Sequence, residues 1–409
     1  MKRLRENQAG FRKSRSCCEQ IFTIRNIIEQ CVEFQQEVHI NFVDFKKAFD
    51  SVHRDSLWKI VATYGIPERF INIMKDVYRN SSCCVKMQEG NTEYFNIETG
   101  VRQGCILSPF LFTLVIDFIM RKAVDGSGHG IRWQQDLVLA DLDFADDIAL
   151  MSESGHSLQE LTHNLEEYAS QFGLRINSGK TKVMSIDTRN NNRTQIVVGD
   201  SPVESVDNFT YLGSVLARDG GAERDIAIRV GKATGIFRKM NRIWKSNTLS
   251  LKIKLQLYHS IVLSTALYAS ETWKETASIT KKLDVFHQRC LRRILKVSYR
   301  EHITNNEILR RCQTKRLQDI VAERRFRFAG HVLRLPNERN AKIAMKWEPV
   351  GGKRKRGRPK ITWRRSFQKD IALVNENFES IEEKAADRTQ WKVLSAQCAD
   401  LHGMDQGLR

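Results

Sequence analysis

Three aspartates stand where packing alone gives a carboxylate no reason to be. Asp44 closes the apolar run His39–Phe45 (HINFVDF), and Asp146–Asp147 interrupt the apolar stretch Val138–Met151 (VLADLDFADDIALM). An ionised carboxylate at the end of a hydrophobic strand is costly unless it is paired or bound to a cation. Two adjacent ones at a hairpin tip also repel each other. A divalent ion relieves both costs. Hard oxygen ligands of this kind suit Mg²⁺, which keeps some waters and takes its remaining ligands from substrate phosphates. Two such ions about 3.5–4 Å apart can activate an attacking hydroxyl and stabilise a leaving phosphate oxygen. The competing reading is that Asp146–Asp147 only caps a hairpin, since aspartate is a common turn residue.

The elements that must position these residues follow from the hydrophobic pattern. Ile21–Val38 has apolar residues at helical spacing, and His39–Phe45, rich in aromatic and branched side chains, reads as a strand. That strand runs into a helical stretch, Lys46–Tyr64, ended by Gly65 before Pro67. A further helix and a hairpin around Glu89–Gly90–Asn91 come next, and Ser108–Pro109 opens an apolar helix to about Val124. The two short apolar runs flanking Asp146–Asp147 read as strand, tight turn and return strand. Leu158–Phe172 is amphipathic, and Leu174–Ser185 is a strand interrupted at Asn177–Lys180. Asp187–Arg193 is a polar loop and a soft boundary, and from about Ala222 to Glu301 the chain is predominantly helical.

Composition limits the function. The chain has 409 residues, 41% of them hydrophobic and 28% charged, enough for two or three domains with a sizeable core. The net charge of +18 is local: Lys281–Asp370 holds 27 basic and 8 acidic residues, leaving the rest near neutral. A segment this basic points to phosphates as its partners. Its most basic stretch, Gly351–Lys360 (GGKRKRGRPK), is a cationic, low-complexity insert. The longest apolar run, Ser108–Met120, is 13 residues long and contains Asp117, too short and too polar to span a bilayer. The N-terminal MKRLRENQAGFRKSR has no apolar stretch behind its charges, unlike a secretory signal. Nine cysteines, with vicinal pairs at Cys17–Cys18 and Cys83–Cys84 and no C-x2-C spacing, fit a reducing compartment and no zinc ribbon.

Five segments occur in a telling order: FVDFKKAFDSVHR (Phe42–Arg54), GVRQGCILSPFLF (Gly100–Phe112), FADDIAL (Phe144–Leu150), GLRINSGKTKVM (Gly173–Met184) and YLGSVL (Tyr211–Leu216). Together they resemble the successive palm motifs of reverse transcriptases, most closely the non-LTR (LINE-type) retrotransposon enzymes. NQAGFRKSRS (Asn7–Ser16) resembles the segment just before the palm in that family. The resemblance implies an α+β right-hand polymerase palm with helices on one face of its sheet, incomplete fingers, a helical thumb and a basic helical C-terminal extension. The boundaries it suggests are 1–215 for partial fingers and palm, 216–280 for the thumb or connection, and 281–409 for a basic nucleic-acid-binding region.

The implied activity is RNA-directed DNA synthesis, in which a primer hydroxyl attacks the α-phosphate of a deoxynucleoside triphosphate and expels pyrophosphate. Asp44 and Asp146 would be ligands shared by two Mg²⁺ ions, with Mn²⁺ as a substitute, and Asp147 a supporting carboxylate. Phe49 matches the family's steric gate against the ribose 2′-hydroxyl, with a core aromatic as the alternative, and Phe45 lies beside it as a substrate-binding position. Gln103–Gly104 would lie along template and nucleotide, glycine allowing close backbone approach. Lys180 fits a lysine that meets the leaving pyrophosphate, or else is a solvated surface residue. Tyr211–Leu212–Gly213 resembles the primer grip.

Two features depart from the family pattern. Nucleotide-binding fingers residues and an endonuclease lie upstream of the NQAGFR segment in relatives, so an N-terminally truncated enzyme is expected. Lys13–Ser14 stand where Pro-Gly is frequent, and Cys17–Cys18 where hydroxyl residues are usual. In the basic third, Arg356–Gly357–Arg358–Pro359 resembles an AT-hook core, whose arginines favour a narrow minor groove. The alternatives are a solvated loop or a nuclear-import patch. His287, Cys290, Cys312 and His331 match no known zinc-finger spacing and fit a helical core better. Expected partners are an RNA template, a DNA primer or target DNA and deoxynucleoside triphosphates, with no membrane. The expected location is the nucleus, with the cytoplasm as the other intracellular option. Two other functions stay open, a remnant that only binds nucleic acid and a group II intron maturase-like protein.

Overall fold

The computed structural model describes residues 4–134, 137–187 and 193–405, so the polar loop expected at 187–193 falls mainly outside the described residues. The fold is α+β, and the chain forms two compact units. The first comprises Met1–Gln20, Phe34–Phe209 and Pro349–Lys353; the second comprises Ile21–Glu33, Thr210–Glu348 and Arg354–Arg409.

The first unit is built on a five-stranded sheet. In chain order its strands are β1 (Val38–Val43), β2 (Asp141–Phe144), β3 (Asp147–Ser152), β4 (Lys182–Ile186) and β5 (Glu204–Ser205), arranged β5-β4-β1-β3-β2. All pairings are antiparallel except β4 with β5. Every residue of β1 is buried, so both faces of the central strand are covered. On one side the helix Gly155–Gln171 packs, with Asn41 Nδ2 donating to Thr162 Oγ1 at 2.9 Å, while Phe42 stacks on Phe209 with centroids 4.2 Å apart. The apolar helix Ser108–Ala123 completes the core with Leu111, Phe112, Val115 and Ile119.

Two expected helices change shape for identifiable reasons. The first runs Cys17–Phe34 and not 21–38: Ser16 Oγ accepts the Glu19 N–H at its start, and Gln35 ends it with φ +56°. The stretch expected at 46–64 divides into Ala48–Ser51 and Arg54–Thr63, with Val52–His53 extended. The break frees carbonyls for a distant segment: Gly100 N–H donates to Val52 O at 2.8 Å and Val101 N–H to Phe49 O at 2.7 Å. The Arg54 guanidinium adds bonds to the carbonyls of Ile97 and Gly100.

The second unit is helical, with its longest helices at Glu223–Lys239, Ala277–Leu295, Leu317–Leu333 and Arg388–Asp405. The domain boundary expected at 280 falls inside Ala277–Leu295. Trp244, Tyr258 and Trp273 are buried in its core, as the sequence suggests for aromatics of this region. Ile21–Glu33 is buried all round although it carries charges, because each is paired: Arg25 with Asp225 at 2.8 Å and Glu33 with Arg365 at 2.6 Å, while Glu29 accepts the Trp363 N–H at 2.7 Å. Arg325 is fully buried between Asp370 (2.5 Å) and Glu275 (3.1 Å). Among the described residues no helix is long and apolar enough to cross a membrane.

Candidate active site

The register of the sheet brings the three aspartates together. Val43 pairs with Ile148, so Asp44, the residue just after β1, arrives beside Asp147 at the start of β3. Phe144 pairs with Asp147, leaving Ala145–Asp146 as a two-residue hairpin loop. Ala145 has φ +58°, a conformation that costs an alanine roughly 1 kcal/mol or more. The segment Gly173–Met184 is joined to the same place: Lys46 N–H donates to Arg175 O, Asn177 N–H to Asp44 O, and Asp44 N–H to Thr181 Oγ1. This sets Lys180 Nζ 3.9 Å from Asp44 Oδ2.

The electrostatics are those of an anionic cluster short of cations. Burial, opposed in part by its own backbone N–H and reinforced by the charge of Asp44, holds the Asp146 carboxyl above the usual range. Asp147 is exposed as a residue, but desolvation of its carboxyl, followed by the charges of Asp146 and Asp44, pushes it up to about 6. Asp44 Oδ2 is buried yet accepts no hydrogen bond. An orphaned carboxylate oxygen beside two carboxyls with raised pKa values is the donor set of a hard divalent cation, so these residues fit such an ion. The cluster of Glu275, Asp370 and His402 does not. Arg325 already neutralises its carboxylates, and His402 Nε2 lies 3.1 Å from Glu275.

The other expected site residues fall in several places. Phe49 is half-buried and stacks face to face on Phe112, centroids 4.2 Å apart, which fixes its ring a short way along the chain from Asp44. The Phe45 ring instead enters the core at 6% exposure, so what it offers at the site is its backbone, bridged to Ile176, and not the substrate contact expected of it. Gln103 and Gly104 are exposed, Gln103 Nε2 donating to Asp50 Oδ1 at 3.4 Å. Tyr211–Leu212–Gly213 belongs to the second unit and not to the palm side of the expected boundary at 215. Its hairpin loop has positive φ at both Leu212 and Gly213, which explains the glycine. Tyr268 Oη donates to Leu212 O at 2.9 Å, and Arg229 donates to Gly213 O while lying over the Tyr268 ring.

Arg356, Gly357, Arg358 and Pro359 are all exposed. In the same unit, helices Glu223–Lys239 and Ala277–Leu295 flank a cleft of about 890 Å³ rimmed by Arg238, Lys281, Lys282, Arg289, Arg292 and Arg293. None of these six cations is paired with a carboxylate among the described residues. His287 and the cysteines near it are core: His287 Nδ1 meets Tyr258 Oη at 2.8 Å, burial pushes its pKa down to about 4, and burial pushes Cys290 up to about 12. These side chains are buried in the helical core, and among the described residues they do not group as ligands for a metal ion. Gln8, whose side chain contacts the hairpin loop, is not marked as a site residue by the sequence. Its only signal was membership of the NQAGFR segment.

Sheet, hairpin carboxylates and motif order define a nucleotidyl-transfer enzyme of the right-hand polymerase class. Residues 1–216 match the family model described as reverse transcriptase (RNA-dependent DNA polymerase), and the chain belongs to that family. A transposon-derived protein of Caenorhabditis elegans is 28% identical over 62% of this chain and 94% of its own length. The Pol polyprotein of a type-2 retrotransposable element of Drosophila melanogaster is 26% identical over 63% of this chain and 25% of that protein. The RNA-directed DNA polymerase of the mobile element jockey from Drosophila funebris is 26% identical over 70% and 31%. The chain thus spans about a quarter to a third of these last two relatives. Among solved structures, telomerase from Candida albicans in complex with a fragment of telomeric RNA aligns with a TM-score of 0.43 and 12% identity, over 75% of this chain and 54% of that one.

Proposed function

We propose that this chain is the RNA-directed DNA polymerase of a non-LTR retrotransposon, extending a DNA primer on an RNA template with deoxynucleoside triphosphates. The observation that carries the reading is the convergence of Asp44, Asp146 and Asp147 from two distant motifs at one end of adjacent strands of the sheet, with an Asp44 oxygen that accepts no hydrogen bond and Lys180 beside it. Two Mg²⁺ ions held by these carboxylates would acidify the primer hydroxyl and offset charge on the reacting phosphate. The chain's own groups do the rest. The primer 3′-oxygen bonds to the α-phosphorus as the bond to pyrophosphate breaks, and Lys180 supplies charge or a proton to the departing oxygen. Phe49, held by Phe112, excludes a 2′-hydroxyl, and Gln103–Gly104 lie against template and nucleotide.

In this reading the second unit grips nucleic acid. Tyr211–Gly213 steadies the primer, the basic cleft follows phosphates, and Arg356–Pro359 reaches a minor groove in target DNA. The basic loop also fits nuclear entry. The test is primer extension on an RNA template with Mg²⁺, with ribonucleotides and a DNA template as comparisons. Extension with deoxynucleotides on RNA supports the reading. Duplex binding without extension would replace it with a nucleic-acid-binding remnant.

A further inference from the structure

The hairpin that presents Asp146 does not hold its shape alone. Its first loop residue, Ala145, has a backbone conformation that favours glycine, and β2 is an edge strand of the sheet. The N-terminal segment completes that edge. Gln8 bridges Asp143 in parallel, with Ala9 N–H donating to Asp143 O at 2.8 Å and Asp143 N–H to Asn7 O at 3.1 Å. Beyond that rung the backbone pairing is replaced by a side chain. Gln8, with 0% exposure, accepts the Ala145 N–H on Oε1 at 2.9 Å and donates from Nε2 to Ala145 O at 3.3 Å. The same Oε1 accepts the Gly10 N–H at 2.7 Å, and Arg12 staples the carbonyls of Arg5 and Gln8. A Cβ on Gly10 would lie 2.2 Å from Ala145 N, so the two backbones touch.

We propose that Gln8 is a positioning residue for Asp146, its carboxamide clamping both polar groups of Ala145 so that the next residue projects its carboxylate in one direction. A side-chain amide is suited to this because it offers one acceptor and one donor in the spacing of a strand neighbour. The proposal rests on the polymerase reading, since it gives the clamp its purpose. Gln8→Met keeps the size and removes both bonds to Ala145, together with the one from the Gly10 N–H. Gln20→Met is the control: Gln20 Nε2 donates to Asn7 O in the N-terminal segment and to Asp143 O on β2, without reaching the loop.

Two readouts are taken on the full chain. In single-nucleotide extension, Gln8→Met lowers kcat ten- to a hundredfold, with nucleotide KM and duplex affinity within twofold of the parent, and Gln20→Met stays within twofold throughout. In hydrogen exchange followed by mass spectrometry, Gln8→Met speeds exchange at least tenfold in the peptide spanning Ala145–Ile148 and leaves the rest of the first unit unchanged. The clamp is refuted by an unchanged hairpin peptide, by faster exchange across the whole unit, or by kcat within twofold of the parent. If the parent itself extends no primer, the polymerase reading fails and the exchange result alone decides the clamp. If Gln8→Met does not fold, Gln8→Asn, which withdraws the carboxamide by one carbon, is read in the same way.

Discussion

Removing the charge of Asp147 should stabilise the cation-free protein. Its carboxyl is pushed up to about 6 by burial and by Asp146 and Asp44, against an unfolded value near 3.8. A carboxyl whose pKa is raised in the fold holds its proton more tightly there, so stability falls as pH rises from about 3.8 through 6 and the penalty is complete above that. A shift of about 2 units corresponds to roughly 3 kcal/mol for a fully buried group. Asp147 is exposed to solvent, and screening reduces that to about 1 kcal/mol. In EDTA at pH 7.5, Asp147→Asn should therefore raise the melting temperature of the first unit, about 200 residues, by roughly 2–4 °C. The gain should vanish below pH 4. Millimolar Mg²⁺ or Mn²⁺ should stabilise the parent more than the variant, because the cation offsets the same repulsion. Melting curves at pH 4, 6 and 7.5, with and without metal, measure all of this. A variant less stable than the parent at pH 7.5 in EDTA, or a difference independent of pH, would refute the reasoning.

Four further outcomes follow from other parts of the molecule. Arg325→Leu strands Asp370 and part of Glu275 in the core and should cost about 3–5 kcal/mol, read from urea midpoints. His402, raised to about 9 chiefly by Asp319 and Glu275 against its burial, stabilises the fold fully below pH 6.5 and loses that contribution as pH rises through 9, so His402→Gln should flatten the urea midpoint between pH 7 and 10. Phe49→Val should lower discrimination against ribonucleotides on the order of tenfold to a hundredfold, measured as the ratio of kcat/KM values. Replacing Arg356 and Arg358 with Ala should reduce the salt dependence of DNA binding by about two phosphate contacts in a titration of affinity against log salt.

What the sequence disclosed depended on the range of the cause. Asp44 and Asp146–Asp147 were legible because charge breaks an apolar run locally, and the hairpin between β2 and β3 because its turn lies between two short strands. The division of the helix at Val52–His53 was not, since its cause is backbone pairing with Gly100–Val101 some fifty residues on. The segment 21–33, within the helix expected at Ile21–Val38, has a polar face opposite its apolar one. Its charged residues find their partners at Asp225, Trp363 and Arg365, hundreds of residues away, so it is buried within the second unit. The clamp of Gln8 on Ala145 has no periodic signature at all, because a single amide spans 137 residues of sequence.

The most direct test of the account is extension of a DNA primer annealed to an RNA template by the full chain with deoxynucleotides and Mg²⁺, beside Asp146→Asn. Template-dependent product is expected from the parent, with a loss of at least a hundredfold in the variant and duplex affinity unchanged. Equal extension by both proteins, or none by a folded parent that still binds the duplex, would contradict it.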